Sequence, residues 1–153
     1  MIIRKAENTE KDCNLVFALS NDPVARENSF NTKPIDYSSH CEWFKRTLAD
    51  ENVLFFLVFE GEVFVGQIRF NRDSAMAEEC VISLSITEQF RGRHIGLQFL
   101  ELGISELQKK WQTMKAVIAD VKAENKASIK LFESAGFKEI DSEYFNTYKL
   151  DIR

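Results

Sequence analysis

The spacing of hydrophobic residues predicts a short strand followed by two helices. Ile2 to Ala6 is typical of a strand, and apolar residues recur at helical spacing between Asn8 and Ser20. The stretch from Asn21 to Asp36 contains both prolines and has no clear period, so we expect a loop or a broken helix there. Ser39 and Glu42 have the spacing of a capping box, which predicts that the second helix opens at this point.

The middle of the chain changes to the periods of strands. An apolar run from Val53 to Phe59, a turn around Gly61 and a second run from Val63 to Phe70 predict a hairpin. The first run does not alternate, so we expect that strand to be covered on both faces. From Ala77 to Thr87 apolar and polar residues alternate, which predicts a strand with one buried face. The apolar positions of that strand are Cys80, Ile82, Leu84 and Ile86.

The last third of the chain predicts two further helices and three strands. After a break at Arg91 and Gly92, apolar residues recur at helical spacing from Leu100 to Trp111. A second helix, Ser128 to Ala135, is closed by Gly136 as a left-handed cap. The three strands are Ala116 to Val121, Phe137 to Ile140 and Tyr144 to Ile152.

This order of elements defines the expected fold. Helices alternate with strands in the middle of the chain and hairpins lie at either end, so the helices must pack on the faces of a mixed sheet. We predict an α+β (mixed α/β) fold with a twisted sheet of six to seven strands and about four helices. With 153 residues and 44% hydrophobic content, the chain is expected to form a single domain over residues 1–153.

Charge, cysteines and hydropathy argue against several classes of protein. The net charge is −4 at pH 7 and no basic stripe is present, which disfavours a nucleic-acid partner. No segment approaches the roughly 20 apolar residues that span a bilayer, and the start lacks the apolar stretch of a secretion signal. The 3 cysteines form no CxxC pair, and neither histidine has metal-ligand spacing to them. We therefore expect a soluble cytoplasmic protein with reduced thiols, no metal and no membrane insertion.

One segment has the residues of a phosphate-binding turn. Between Ile86 and Gly96 a strand runs through a basic turn into a helix, whose free N–H groups and positive end favour phosphate oxygens. Gly92 permits close approach of the backbone, and Arg91 and Arg93 add charged donors. A plain strand-to-helix connection with solvated arginines accounts for the same residues, so both interpretations stay open for this segment alone.

A second segment, from Val121 to Phe137, contains a strand end, a helix with Asn125 as a suitable N-cap and a glycine stop, and ordinary structure explains it. Together, however, the two segments resemble the GNAT superfamily of N-acetyltransferases. Residues 91–96, Arg-Gly-Arg-His-Ile-Gly, resemble that family's coenzyme A pyrophosphate loop, Arg/Gln-x-x-Gly-x-Gly/Ala. Residues 125–137 resemble its Asn-x-x-Ser/Ala-Ile-x-Leu-Tyr/Phe-x-x-x-Gly-Phe signature.

The resemblance implies a GNAT fold and an N-acetyltransferase that moves the acetyl group of acetyl-CoA directly onto a primary amine. Backbone N–H groups of the loop would hold the pyrophosphate of coenzyme A. The strand before the loop would splay from its parallel neighbour, pair with the pantetheine arm and supply an N–H to the oxyanion. The residues implied in cofactor binding are Leu84, Ser85, Ile86, Arg91, Gly92, Arg93, His94, Ile95, Gly96, Asn125, Ser128 and Phe132.

Two residues depart from the family pattern. His94 replaces the first glycine of the loop, and an ordinary helical backbone at that position would tolerate it. Phe132 replaces a tyrosine that, in many members, is proposed to protonate the departing thiolate, and a phenylalanine cannot donate a proton. Tyr144, Tyr148 or water would take over that role, or no dedicated acid is used.

The reaction also requires a base, because only a neutral amine attacks and its ammonium must lose a proton. Glu79 is the first candidate, since it shares the polar face of its strand with Ser83 and Ser85, which would carry a water chain. The acidic residue of histone-type relatives lies at a similar distance before the motif arginine, which implies either Glu79 or Glu78. Both glutamates could equally end a solvent-exposed strand.

The segment from Ser20 to Asn31 is the candidate acceptor wall. It is rich in Asn, Asp, Ser and Arg, and it resembles the nucleotide-sugar branch of the GNAT enzymes. That branch, of the pseudaminic-acid-pathway type, acetylates the amino group of UDP-linked deoxyamino sugars in surface glycan biosynthesis. By that resemblance Arg26 would contact a phosphate. The residues expected on the acceptor side are Asp22, Arg26, Asn28, Ser29 and Phe30.

Other acceptors and roles fit the same sequence. A RimJ/RimL-like enzyme would acetylate a protein N-terminus lying in an open groove, and a small-amine enzyme would take a polyamine or an antibiotic. A non-catalytic module would bind coenzyme A without turnover. Homodimers are common among GNAT proteins, and nothing in the sequence decides the oligomeric state.

Overall fold

The computed structural model describes residues 1–141 and 146–153, and its strands form a seven-stranded mixed sheet. The strands are β1 (Ile2–Lys5), β2 (Val53–Glu60), β3 (Val63–Asn71), β4 (Glu79–Ile86), β5 (Ala116–Val121), β6 (Lys138–Ile140) and β7 (Asn146–Asp151). Their order is β1-β2-β3-β4-β5-β7-β6, with β4 and β5 parallel and the other neighbours antiparallel. The predicted mixed sheet of six to seven strands is confirmed.

The helices pack on both faces of this sheet. In the described ranges they are α1 (Glu10–Ser20), α2 (Pro23–Glu27), α3 (Tyr37–Ala49), α4 (Gly96–Lys110) and α5 (Lys126–Ser134). One more helix is present than the prediction of about four, because α2 forms inside the stretch predicted as a loop or a broken helix. Within the described residues, no helix is both long enough and apolar enough to cross a membrane.

The apolar strand β2 separates two hydrophobic cores. Leu54, Phe56 and Val58 pack into the core beneath α4 and α5, while Phe55 and Leu57 pack into the core beneath α1 and α3. All five side chains are buried. The expectation that this strand is covered on both faces is confirmed, and it explains why its sequence does not alternate.

The start of α3 differs from the prediction, because Asp36 and not Ser39 is the N-cap. The Oδ2 atom of Asp36 accepts hydrogen bonds from the backbone N–H and the hydroxyl of Ser39, at 3.0 and 3.1 Å. A charged oxygen three residues earlier satisfies the free N–H group, so the helix already begins at Tyr37. The capping box was wrong, whereas the left-handed cap predicted at Gly136 is confirmed by its φ of 95°.

A buried carboxylate fixes α1 against β1. Asp12 is 1% exposed, and its two oxygens accept hydrogen bonds from the guanidinium of Arg4 at 2.7 and 2.8 Å. The backbone N–H of Glu7 donates to the same carboxylate at 2.8 Å. Burial alone would raise the pKa of Asp12, but these hydrogen bonds outweigh it and hold the pKa below its ordinary value.

Candidate active site

The strands β4 and β5 lie side by side only at their N-terminal ends. Their parallel register contains three residue pairs and ends at Val81 and Ile118, after which the strands diverge. The splay implied by the family resemblance is therefore present. Residues from both faces of the two strands line the gap, as they must where a sheet opens.

The diverging part of β4 presents free backbone groups to this gap. The N–H of Thr87 donates to the carbonyl of Val65 on the β3 side, at 2.8 Å. Backbone groups alternate sides along a strand, so those of Leu84 and Ile86 point towards β5, where the register has already ended. The Ile86 carbonyl accepts the Nε–H of Arg91 at 2.9 Å. The N–H groups of Leu84 and Ile86 are left without a strand partner in the described part of the chain.

A cavity of about 650 Å³ occupies the gap, which is within the size range of cofactor and substrate sites. It is bordered by the loop before α4, by the first half of α5 and by the residues in and after α2. The structure brings together every residue that the family resemblance implied in cofactor binding. Those lining residues are Leu84, Ser85, Ile86, Arg91, Gly92, Arg93, His94, Ile95, Gly96, Asn125, Ser128 and Phe132.

The loop between the 3₁₀ turn at Glu88–Phe90 and α4 leaves a row of backbone N–H groups free. Gly92 and His94 have positive φ angles of 72° and 59°, and no backbone N–H from Gly92 to Ile95 donates to an acceptor in the described residues. The row continues into α4, because the first helical hydrogen bond runs from Phe99 N–H to the Ile95 carbonyl. Left-handed residues followed by a helix N-terminus form a phosphate cradle, and residues 92–97 are called the phosphate cradle below.

The backbone at His94 does not have the ordinary helical conformation that was the condition for tolerating a side chain there. Its φ of 59° lies in the left-handed region, which costs a non-glycine residue roughly 1–2 kcal/mol. The loop retains the backbone shape that a glycine would favour, and histidine is among the side chains that tolerate it. The neighbouring Arg93 holds its guanidinium carbon 5.5 Å from the centroid of the Phe90 ring.

Arg91 fastens the loop to the rest of the site. Its Nε–H binds the Ile86 carbonyl, and its Nη2 donates to Asp22 Oδ2 at 2.7 Å. Asp22 also accepts the N–H of Ala25 at 3.1 Å and thereby caps α2. Burial alone would raise the pKa of Asp22, but the hydrogen bonds from Arg91 and Ala25 outweigh it and lower the pKa. This ion pair joins the phosphate cradle to the helix on the acceptor side.

The start of α5 forms another wall of the cavity. Asn125 is the N-cap and accepts the N–H of Ser128 at 3.2 Å, so ordinary capping accounts for its side chain. Gly96 lets α4 begin close to α5, because a Cβ atom there would lie 3.1 Å from Leu131 Cδ1. Phe132 is 4% exposed and lines the cavity with an apolar ring that has no proton to give.

The predicted catalytic glutamates lie outside the cavity lining. Glu79 Oε1 is 3.1 Å from Lys149 Nζ, and Glu78 Oε2 is 2.6 Å from Lys115 Nζ. Their side chains are 55% and 58% exposed. The assignment of either glutamate as the base stays a prediction that this geometry does not favour, because both precede the point where β4 separates from β5. Their exposure and ion pairs fit the alternative, in which the two glutamates simply end a solvent-exposed strand.

Neither tyrosine that was proposed as the acid is found among the described residues that line the cavity. Tyr144 lies outside the described residues. Tyr148 is 3% exposed and its hydroxyl lies 3.4 Å from Glu139 Oε2, on the α5 face of the sheet.

Of the predicted acceptor residues, Asn28, Ser29 and Phe30 line the cavity, while Asp22 and Arg26 do not. The guanidinium of Arg26 donates to three backbone carbonyls of the same segment at 2.8 to 3.0 Å. Arg26 therefore stabilises the fold of this segment, and the predicted contact of its guanidinium with a phosphate is not favoured by these hydrogen bonds.

Sequence reasoning missed Asp120, a cavity-lining residue of β5 that accepts a hydrogen bond from Thr147 Oγ1 at 2.9 Å. The available signal was a charged residue inside an otherwise apolar strand, because a polar group there needs a partner or a function. It also missed Lys122, which borders a second cavity of about 460 Å³ that adjoins the first at Asn28. Across the described residues, no cluster of His, Cys, Asp or Glu is suited to hold a metal ion.

Comparison with known proteins identifies the family. The family model of the acetyltransferase (GNAT) domain matches residues 1–138. The chain belongs to the GNAT family of acetyltransferases. This GNAT protein is an N-acetyltransferase, and acetyl-CoA is its acetyl donor.

Three relatives illustrate the similarity of this acetyltransferase to known proteins. The first is YwnH of Bacillus subtilis (strain 168), which carries the provisional name of a phosphinothricin acetyltransferase. It is 28% identical to this chain over 148 residues, and the alignment covers 91% of this chain and 85% of YwnH. The crystal structure of a domain from Methanocaldococcus jannaschii DSM 2661 has a TM-score of 0.81 and 26% identity, with 99% and 97% of the two chains covered. Campylobacter jejuni N-acetyltransferase PseH in complex with acetyl coenzyme A has a TM-score of 0.77, 20% identity and coverage of 99% and 100%.

Proposed function

We propose that this acetyltransferase transfers the acetyl group of acetyl-CoA to the amino group of a nucleotide-linked deoxyamino sugar, in the cytoplasm and as a single domain. One observation supports the proposal most directly: a single cavity reaches from the phosphate cradle to a wall of mainly uncharged polar side chains. This polar wall consists of Asn28, Ser29, Ser83, Ser85 and Asp120.

At the cradle end, groups of the chain itself fit coenzyme A. The free N–H groups of residues 92–97 would bind the pyrophosphate oxygens, and the free backbone groups of Leu84 and Ile86 would pair with the amides of the pantetheine arm. When bound, acetyl-CoA supplies an acetyl thioester. An N–H of Leu84 or Ile86 is available in the gap to stabilise negative charge on a carbonyl oxygen.

At the other end, the polar wall suits an acceptor with several hydroxyl groups. Asn28 and Ser29 offer hydrogen bonds to a sugar, and Phe30, which is 54% exposed, offers a ring face. The second cavity continues past Asn28 and is bordered by Lys122. The Lys122 ammonium donates one hydrogen bond to the Glu27 carbonyl at 2.9 Å and keeps two further N–H donors, which would attract a diphosphate. Lys122 thereby takes the role that the sequence assigned to Arg26.

The experiment is a free-thiol assay of coenzyme A release with the purified protein. The amines are a UDP-4-amino-4,6-dideoxy sugar, spermidine, phosphinothricin and a peptide with a free N-terminus. Release with the UDP-amino sugar alone supports the proposal. Release with a different amine alone contradicts the sugar acceptor but retains acetyl transfer, and no release with any of them contradicts both.

A second candidate is a small amino acid acceptor, which the 28% identity to YwnH favours. The two candidates differ at Lys122, because of the two acceptors a nucleotide-linked one would extend into the second cavity, which Lys122 borders. Lys122→Ala should raise the KM for a UDP-amino sugar about tenfold and leave that for phosphinothricin unchanged. Lys130→Ala removes an exposed lysine of α5 outside both cavities and serves as the matched control.

A further inference from the structure

We infer that Asp120 is the catalytic base, the carboxylate that removes the proton from the acceptor ammonium. This inference rests on the proposed acetyl transfer and names the group that makes the acceptor nucleophilic. It replaces Glu79 and Glu78, which form ion pairs outside the cavity lining.

Asp120 is held in place by its own sheet. It lies in register with Thr147 of β7, whose Oγ1 donates to Asp120 Oδ1 at 2.9 Å. Thr147 is 6% exposed, so this hydrogen bond is shielded from water, whereas Asp120 is half-buried and lines the cavity. The second oxygen, Oδ2, has no hydrogen-bond partner among the described residues. One oxygen therefore orients the carboxylate and the other can accept a proton.

The parallel register also places Asp120 beside the polar positions of β4. The pairing ends at Val81 and Ile118. Two residues further along each strand stand Ser83 and Asp120, which share one face of the sheet because side chains alternate with period two. Both line the same cavity as the free backbone groups of Leu84. The base, the polar wall and the donors for a carbonyl oxygen thus border one space.

The other charged groups around this carboxylate are engaged elsewhere or carry the opposite charge. On β7, Lys149 is paired with Glu79. On β3, the guanidinium carbon of Arg69 lies 5.0 Å from the Trp43 ring centroid. After β5, Lys122 donates to the carbonyl of Glu27 at 2.9 Å. The loop before α4 contributes Arg91, Arg93 and His94 to the lining, and α2 contributes no charged side chain to it.

Among the described residues that line the 650 Å³ cavity, Asp120 is thus the one carboxylate. Its Oδ2 takes a proton from the acceptor R–NH3⁺, which leaves R–NH2 with a free electron pair. The nitrogen lone pair then forms a bond to the acetyl carbonyl carbon of acetyl-CoA. The carbon–sulfur bond breaks, and the sulfur leaves with the electron pair of that bond and ends as the thiol of coenzyme A. The second amine proton passes to the sulfur through water, and Asp120 returns its proton to solvent.

The test compares wild type and Asp120→Asn from pH 6 to pH 10 with the most active amine of the panel. Asparagine keeps an oxygen for Thr147 but cannot accept the proton, so kcat/KM at pH 7 should fall about 10²–10⁴-fold. The defect should shrink about tenfold per pH unit up to the pKa of the amine, because neutral amine then forms without a base. If Asp120 had only a structural role, the defect would be the same at every pH.

Two further variants distinguish positioning from proton transfer. Thr147→Val should lower kcat about 3–10-fold with the pH dependence of wild type, and Thr147→Ser should restore it, because Thr147 acts only through Asp120. Glu79→Gln should retain wild-type kcat/KM. Equal defects of Asp120→Asn at all pH values, or an active Asp120→Asn beside an inactive Glu79→Gln, would overturn the assignment alone. A wild type that acetylates no amine would overturn the proposed function and the assignment with it.

Discussion

At the scale of single residues, His94 shows that backbone shape and side-chain chemistry are separate properties of a binding loop. Its φ of 59° preserves the loop that a glycine would form, while its imidazole is one of several groups in the cavity lining. Since the free N–H groups of the phosphate cradle belong to the main chain, phosphate binding depends on the path of the chain more than on the identity of this side chain.

Substitutions of His94 test that view. His94→Gly keeps the left-handed backbone without a Cβ, so the Kd for coenzyme A should stay within about twofold of wild type. His94→Val places a β-branched residue at a positive φ, which should cost about 1–2 kcal/mol and weaken binding by about 5–30-fold. Isothermal titration calorimetry measures both values. A large loss in the glycine variant would show instead that the imidazole itself contacts the phosphates.

Asp12 gives a prediction about stability. Asp12→Ala leaves the guanidinium of Arg4 without its bidentate partner, and because Arg4 is 35% exposed and partly solvated, the cost should be about 1–3 kcal/mol. The contribution of Asp12 is fully present above its unfolded-state pKa and is lost as the pH falls through its lowered folded-state pKa. Urea unfolding should show a constant difference from wild type between pH 8 and pH 5 that shrinks below about pH 4. The exposed Asp73→Ala is the control and should cost little at any pH.

At the scale of elements, local patterns predicted most strands and helices because each buries a face whose period is visible in the sequence. The hairpin of β2 and β3 and the helix ending before Gly136 are such cases. The start of α3 was missed because two capping arrangements overlap, and local spacing does not say which oxygen is used.

The candidate site likewise has one part that the sequence predicted and one part that it did not. The phosphate cradle and the start of α5 are contiguous segments, so their sequences point to them directly. Asp120 and the exclusion of Glu79 depend on where β4 separates from β5. That separation depends on the register between residues 37 positions apart in the chain, such as Val81 and Ile118, and no local pattern encodes it.

Gly66 provides a prediction for the contact between β3 and β4. A Cβ atom there would lie 2.2 Å from the Ser85 carbonyl oxygen and 3.0 Å from Phe99 Cζ, so Gly66→Ala must push the strands apart beside the gap. We expect a loss of about 1–3 kcal/mol in the free energy of unfolding. Chemical denaturation measures it, with Gly61→Asn in the open hairpin turn as a control that should be nearly neutral. Unchanged stability in Gly66→Ala would contradict this packing.

At the scale of the whole molecule, the sheet consists of two parts that meet at the short β4–β5 pairing. Strands β1 to β4 form one part, and β5, β7 and β6 form the other. The cavity lies between these parts, so a ligand that fills it contacts both and should oppose their separation.

This arrangement predicts a large effect of coenzyme A on thermal stability. At a free concentration of 100 times its Kd, coenzyme A should add about 2.7 kcal/mol, which for a chain of this size raises Tm by about 5–10 °C. Differential scanning calorimetry measures the shift, and hydrogen exchange should show new protection in residues 82–86 and 92–97. The free nucleobase adenine serves as the control and should have little effect. Protection spread evenly over the sheet would contradict a bridging role.

The short β4–β5 pairing has one more consequence, because each part of the sheet is continuous in sequence. Residues 1–110 contain β1 to β4 and α1 to α4, and residues 116–153 contain the remaining strands and α5, so the chain crosses between the parts once. A gene cut in the intervening connection would encode two fragments, each with its own strands already neighbours. Their reassembly would restore the hydrophobic core that the two fragments share, and a ligand that contacts both fragments would strengthen it. The two fragments could therefore serve as a split reporter, because the amount of assembled enzyme would increase with the concentration of acetyl-CoA.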